Sequence, residues 1–303
     1  MNRSALLGVS CLFVIACGSA EPRSGFENGT NGGETPAPGD TPGSQQGPGF
    51  ENGQPPEEQK PPAAPPEPVT VVYGHSATQL YKLDPVTKAV SVVGTFDCSN
   101  QITDIAIDGA SNAYATSFGA FYKLDLNTAK CSLLASGDYP NSLSFVPKGT
   151  LDANVEALVG YLGDEYVRID TNSGSLKSIG SLSGGYVSSG DIVSVTGGGT
   201  FLTAKNFGCA DCLLQIDPAT GNMVQNYGSV GFGSVFGIAY WGGTVYGFTD
   251  AGDLFEITMQ NGKVSTKTIT IASKPSGLSF WGAGSSTSVP VASPDGKTTF
   301  PIK

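Results

Sequence analysis

Leu80-Tyr81-Lys82-Leu83-Asp84 is one of five near-copies of a single phrase. The others are Phe121-Tyr-Lys-Leu-Asp125, Tyr166-Val-Arg-Ile-Asp170, Leu213-Leu-Gln-Ile-Asp217 and Leu254-Phe-Glu-Ile-Thr258. Each alternates apolar and polar residues, the period of a half-buried strand. Four of the five run into a turn signal: Asp-Pro-Val-Thr, Asp-Leu-Asn-Thr, Asp-Thr-Asn-Ser-Gly and Asp-Pro-Ala-Thr-Gly. There the carboxylate can accept backbone N–H bonds, and Pro or Gly supplies the dihedrals of the bend. The copies start roughly every 41–47 residues, the spacing of four-stranded blades arranged as a propeller.

Three further apolar segments recur around each phrase in fixed order. One precedes it, as in Ala113–Ser117, and one follows it, as in Cys131–Ser136. The fourth recurs as Ile102–Asp108, Ser142–Val146, Asp191–Val195, Phe236–Trp241 and Gly277–Trp281. It resembles the Gly-Leu/Ile-Ala-like strand that opens each blade in repeat propellers, which makes it the innermost strand. On that assignment Gly277–Trp281 has no blade of its own and completes blade one. The expected fold is all-β: a five-bladed β-propeller over 69–283, with ring closure by this C-terminal inner strand and a loop-like tail over 284–303. The repeats resemble the broad NHL, YVTN and PQQ-type propeller families. No copy places a Trp after its turn as PQQ-type repeats do, no Trp-Asp pair marks a WD40 blade, and Thr258 replaces the expected Asp.

The N-terminus reads as a targeting segment. Arg3 precedes an apolar run, Ala5 to Ala16, that is too short to span a bilayer. The run closes on Val14-Ile15-Ala16-Cys17, which resembles the lipobox of bacterial lipoproteins. The resemblance implies a signal peptide over 1–16, cleavage before Cys17, and acylation of that cysteine, palmitate included. Several acyl chains anchor durably. Gly18 stands where an Asp would resemble an inner-membrane retention signal, so the expected location is the bacterial outer membrane or cell surface. From Cys17 to Pro68 the chain is dominated by Gly, Pro, Glu, Gln and Ser, and Gly25-Phe-Glu-Asn-Gly29 returns as Gly49-Phe-Glu-Asn-Gly53. So little apolar surface cannot offset the entropy of ordering, which predicts a disordered tether.

The chain is acidic, with 16 Lys and Arg against 26 Asp and Glu and a net charge of −10. Nucleic-acid binding needs stripes of Lys and Arg, so that class of partner is excluded.

Candidates for chemistry are few. The turn aspartates Asp84, Asp125, Asp170 and Asp217 read as caps rather than a ring of acids. His75, the single histidine, is placed in a loop between two strands of blade one. A multi-histidine zinc site is therefore excluded, and a Ser-His-Asp triad would rest on this residue alone. Asp104 and Asp191 occupy matching inner-strand positions, against Ser142, Gly237 and Gly277 in the other blades. They could converge on a hard cation in the channel or form a wet acidic wall; the second reading leaves metal and cofactor unassigned. Asp97, Tyr139, Tyr186 and Phe232 sit in loops entering inner strands and Phe207 in a neighbouring loop, a composition that suits a binding face.

Apart from Cys17 and Cys11 of the leader, four cysteines remain: Cys98, Cys131, Cys209 and Cys212. Export favours disulfides. Cys209-Ala-Asp-Cys212 resembles a redox CxxC but reads as a loop staple, leaving Cys98 to Cys131, although the strand order puts those two near opposite ends of a blade. The functional expectation is a lipid-anchored, extracytoplasmic binding module for an envelope protein or glycan. The alternative is a propeller enzyme, a lyase, glycosidase or lactonase-like hydrolase, using Asp104, Asp191 and His75.

Overall fold

Hydrophobic alternation and turn chemistry produce twenty strands in the computed structural model, which describes residues 72–260, 262–297 and 300. The expected signal peptide, Cys17 and the expected tether lie outside the described residues. Blade one holds β1 (Val72–His75), β2 (Gln79–Leu83) and β3 (Val90–Thr95). Blade two is β4 (Asp104–Ile107), β5 (Ala113–Ser117), β6 (Ala120–Leu124) and β7 (Cys131–Ser136). Blade three is β8 (Leu143–Val146), β9 (Ala157–Leu162), β10 (Glu165–Ile169) and β11 (Leu176–Ser181). Blade four is β12 (Val187–Val195), β13 (Gly199–Asn206), β14 (Cys209–Ile216) and β15 (Met223–Ser229). Blade five is β16 (Val235–Trp241), β17 (Thr244–Thr249), β18 (Leu254–Gln260) and β19 (Lys263–Ile269). Finally β20 (Gly282–Gly284) lies innermost in blade one, antiparallel to β1 with Gly74 opposite Ala283.

Two features of the expected closure are corrected. Gly277–Trp281 is not a strand: Gly277 sits at φ +69°, in the left-handed region that no extended strand tolerates. Leu278 N–H closes a turn on the Pro275 carbonyl, and the paired residues come later, at β20. Nor do hydrogen bonds close any sheet. The blades are five separate four-stranded sheets.

Side-chain packing does what a ladder between blades would have done. The buried apolar residues fall into five clusters, one per blade interface. Tyr73 and Leu80 meet Ile105 and Tyr122; Phe121 meets Tyr139 and Leu143; Tyr161 and Tyr166 meet Leu202 and Leu214; Phe201 and Leu213 meet Ile238 and Phe255; Tyr246 and Phe248 meet Tyr81 and Leu83. A fully buried aromatic or aliphatic side chain contributes about 1.5–3 kcal/mol, so each interface is a substantial apolar core.

The repeated aspartates cap turns, and each turn docks on the preceding blade. Asp84 Oδ1 accepts Val86 and Thr87 N–H at 2.8 and 3.1 Å, and Asp170 Oδ1 accepts Asn172 and Ser173 N–H at 3.0 and 2.8 Å. These N–H donors hold the Asp84, Asp125 and Asp170 carboxyls below the usual carboxylate range. The blade-three turn receives Tyr139 Oη on the Gly174 carbonyl (2.8 Å), and the blade-four turn receives Tyr161 Oη on the Gly221 carbonyl (2.6 Å). The blade-one turn reaches blade five: Lys88 Nζ donates to Tyr246 Oη at 2.6 Å and pairs with Glu256 at 3.0 Å. In blade five the hairpin runs on through Thr258, which pairs with Ser265 inside the ladder.

The same stagger explains the cysteines. Cys98 bonds Cys131 and Cys209 bonds Cys212. Blade one's outer edge meets the turn of blade two, where Asp97 Oδ1 accepts Cys131 N–H at 2.7 Å, so Cys98 and Cys131 link two blades rather than opposite ends of one.

The polar tail is also not the free loop its composition suggests. Ser286 bridges to Ile107 and its Oγ donates to the Asp108 carbonyl at 2.9 Å. Thr287 Oγ1 donates to Glu156 at 2.5 Å, and its carbonyl accepts Thr196 N–H at 2.9 Å. The Pro290 carbonyl accepts Gly242 N–H at 2.7 Å, and Val291 accepts the Tyr240 hydroxyl at 3.1 Å. The tail thus crosses the outgoing ends of the inner strands, with Val289 and Phe300 buried at the interface of blades four and five.

Candidate functional site

The five inner strands meet at the axis at one equivalent position, occupied by Asp104, Ser142, Asp191, Gly237 and Gly282. The register that fixes this pairs the next residues, Ile105, Leu143, Ile192, Ile238 and Ala283, with Ala115, Gly160, Leu202, Gly247 and Gly74. Space there is short. A Cβ on Gly237 would lie 2.6 Å from the Gly282 carbonyl carbon, and one on Gly282 would lie 2.5 Å from Asp104 Oδ1 and 2.2 Å from His75 Nε2. Two glycines are the room that two acids and an imidazole require. Gly282, not Gly277, is the equivalent of Asp104.

Every inner strand turns one N–H toward this layer, and two carboxyls serve all five. Asp104 accepts Ile105 N–H on Oδ1 at 2.8 Å and Leu143 N–H on Oδ2 at 2.6 Å. Asp191 accepts Ile192 N–H on Oδ1 at 2.6 Å and Ile238 N–H on Oδ2 at 2.8 Å, and Ala283 N–H bonds to the same carboxyl. Both acids are fully buried. Burial first, then the Asp191 charge beside it, holds Asp104 well above the usual carboxylate range; burial raises Asp191, against the N–H bonds it receives. The two carboxyls also act on each other, the charge of Asp191 disfavouring ionisation of Asp104.

His75 is not in a loop. It ends β1, fully buried, with Nδ1 2.9 Å from the Ser76 carbonyl and Nε2 3.8 Å from Asp104 Oδ1. Nδ1 is therefore the protonated nitrogen, and Nε2 has no hydrogen-bond partner. Burial pushes the imidazole down to about 4, against the Ser76 bond. The structure thus brings together His75, Asp104 and Asp191. Among the described residues no group of three or more His, Cys, Asp or Glu side chains could hold a metal ion.

The other candidates do not share that place. Asp97 holds the Cys131 turn. Tyr139 is buried and stacks on Phe121 with ring centroids 5.4 Å apart, and Phe232 stacks on Phe255 at 3.9 Å. Tyr186 packs on the interface of blades three and four, its hydroxyl accepting Asn226 Nδ2 at 2.7 Å. Of the expected exposed aromatics, only Phe207 is fully exposed, at the β13–β14 turn. The expected continuous rim of aromatics is instead dispersed into the blade interfaces.

The open feature lies one residue up each inner strand. Thr103, Asn141, Gly190, Phe236 and Trp281 immediately precede the five axial positions, and with Phe118 they line a cup of about 190 Å³. Phe118 reaches it from the β5–β6 turn and is 71% exposed. Trp281 Nε1 donates to Asp250 Oδ1 at 3.2 Å. Phe118, Phe236 and Trp281 were not singled out from the sequence. For Phe236 and Trp281 the signal was available in the repeats, as the residue before each inner-strand acid or its equivalent; Phe118, in the β5–β6 turn, had none.

No protein-family model matches the chain, and no curated protein matches it in sequence. Solved structures match by shape. Hydrazine synthase of Kuenenia stuttgartiensis is similar at 13% identity and a TM-score of 0.38, over 67% of this chain and 62% of that one, so the match spans less than two thirds of that protein. A chain of the nidogen/laminin complex is similar at 10% identity and a TM-score of 0.45, over 71% and 97%. A Bacteroides caccae protein of unknown function is similar at 10% identity and a TM-score of 0.39, over 69% and 76%. The strand order itself defines the class: a five-bladed β-propeller, a fold suited to a binding or enzymatic surface module.

Proposed function

We propose that the chain is a lipid-anchored, extracytoplasmic binding module. In this reading residues 1–16 are removed, Cys17 carries the acyl chains, and 17–68 tethers the propeller at the bacterial outer membrane or cell surface. The propeller then presents its axial cup to an envelope partner, protein or glycan. The observation that carries the binding reading is the cup itself, with three aromatic side chains around one channel mouth. Clustered aromatics beside polar groups characterise recognition sites.

A second reading, an extracytoplasmic enzyme, is favoured by the raised, paired acids beneath the cup. It is weakened by their engagement: all four carboxyl oxygens already accept backbone N–H groups, and neither acid is exposed.

Two experiments test the proposal. Palmitate labelling of cells should vanish on Cys17→Ala; persistent labelling removes the anchor. Envelope components retained by the immobilised full chain should be lost on Trp281→Ala and on Phe118→Ser, the latter at an exposed turn. Retention unchanged in both variants would remove the cup as binding face.

A further inference from the structure

We infer that the axial cup accepts a trimethylammonium group, the head of a choline-like or fully methylated lysine-like ligand. This deepens the binding reading above and rests on the cup being its binding face. Size comes first. At about 190 Å³ the cup is smaller than the roughly 300–1,000 Å³ of sites for drug-sized ligands. It admits one compact head group and leaves the rest of the ligand outside.

Hydrogen-bonding capacity comes next. Thr103, Asn141 and the Trp281 indole supply the polar side-chain groups of the lining, and the indole N–H is committed to Asp250. Thr103 Oγ1 is already committed to the Thr116 carbonyl, at 3.1 Å. A sugar ring would bury several hydroxyls against a single amide, and each unpaired one is costly. A trimethylammonium group makes no such demand, because its charge has no N–H to satisfy and its methyl groups are apolar.

Charge then decides between this cation and a neutral group of the same shape. The lining contains no Lys or Arg. The buried carboxyls one residue deeper are held toward their neutral form, so the negative group nearest the cup is Asp250, which holds the Trp281 indole from the side. The net charge of the chain is −10. Phe118, Phe236 and Trp281 bring three aromatic side chains to the lining, and aromatic rings attract a desolvated cation, above all a quaternary one. An anion would find no cationic partner in the lining and the Asp250 carboxyl beside it.

The test uses the full chain and titrates choline and Nε-trimethyl-lysine amide, following tryptophan fluorescence and calorimetric heat. The neutral isostere 3,3-dimethylbutan-1-ol and methyl glucoside serve as comparison. Both cations should bind saturably, with the isostere at least about tenfold weaker and the glucoside without effect. Trp281→Ala and Phe236→Ala should each weaken choline about tenfold, and Phe118→Ser, which leaves the interfaces intact, should weaken it measurably. Equal binding of the neutral isostere, competition by the glucoside, no binding of either cation at millimolar concentration, or choline binding indifferent to all three substitutions would overturn the assignment. If envelope components still depend on Trp281 while choline does not bind, the ligand class fails and the binding face stands. If retention is also independent of Trp281, both fail.

Discussion

Replacing Asp191 by alanine tests whether the axial acids hold the blades together. The substitution removes the acceptor for three buried N–H groups, those of Ile192, Ile238 and Ala283, which belong to blades four, five and one. Each orphaned buried donor costs about 1–3 kcal/mol. The sum is at least about 3 kcal/mol, a large part of the roughly 5–15 kcal/mol by which domains are stable. Relief of acid–acid repulsion offsets little, because burial already favours the neutral form of both carboxyls. Asp104→Ala orphans two donors, Ile105 and Leu143, and should cost less. Asp191→Asn keeps one acceptor oxygen and should fall below Asp191→Ala. For a domain of this size about 1 kcal/mol corresponds to roughly 2–4 °C, so Asp191→Ala should melt at least roughly 6 °C below the parent by circular dichroism. An alanine variant as stable as the parent would refute the reasoning, since acids that only line a wet wall can be removed freely. So would Asp104→Ala melting below Asp191→Ala.

The tail gives a second outcome: ending the chain after Gly284 should lower the melting temperature well beyond what a free polar loop would, and Phe300→Ala alone should cost about 3–5 kcal/mol in a denaturant titration. Gly282→Ala forces a methyl group onto His75 and Asp104 and should prevent accumulation of folded protein, whereas Gly233→Ala, at a position with open space and an ordinary backbone, should not. His75 predicts a pH dependence. Its folded value is depressed from 6.5 to about 4, so its contribution to stability is complete above pH 6.5 and is lost as pH falls toward 4. The acid pair, whose folded values are raised, acts in the opposite sense: its contribution is complete below the ordinary carboxylate range and is lost as pH rises from that range through the raised folded values. His75→Gln should therefore shrink the loss of melting temperature between pH 6.5 and 4; an unchanged loss would place it elsewhere.

The blades were legible because their causes are local. Alternation in Leu80–Leu83, a capping Asp84 and a Thr or Gly in the bend act within a few residues, and five repetitions make the pattern plain. Closure was harder because its determinants are three-dimensional. Gly277–Trp281 has the apolar content of an inner strand, yet Leu278 and Phe280 bury their side chains from a turn, and the true strand is the near-featureless Gly282-Ala283-Gly284. Glycine there reflects crowding by His75 and Asp104, two residues distant in sequence. The same holds for the site. Asp104 and Asp191 could be aligned by repeat position, but which N–H groups they face depends on how neighbouring blades twist. The tail misled by composition: its Ser and Thr hydroxyls suggest solvent, and in the fold they satisfy backbone groups at the strand ends.

The two layers at the axis separate stability from recognition. The deeper layer, Asp104, Ser142, Asp191, Gly237 and Gly282, is committed to five backbone donors, so changes in it act through all the blades at once. The layer above, Thr103, Asn141, Gly190, Phe236 and Trp281, belongs to the same strands, yet its aromatic side chains face the cup. A group that enters the cup meets that upper layer first. Residues one position apart in sequence therefore answer to different constraints. Substitutions such as Phe236→Leu or Trp281→Phe should alter what the cup holds while leaving the melting temperature nearly unchanged, a dissociation that a channel with catalytic acids at its mouth would not permit.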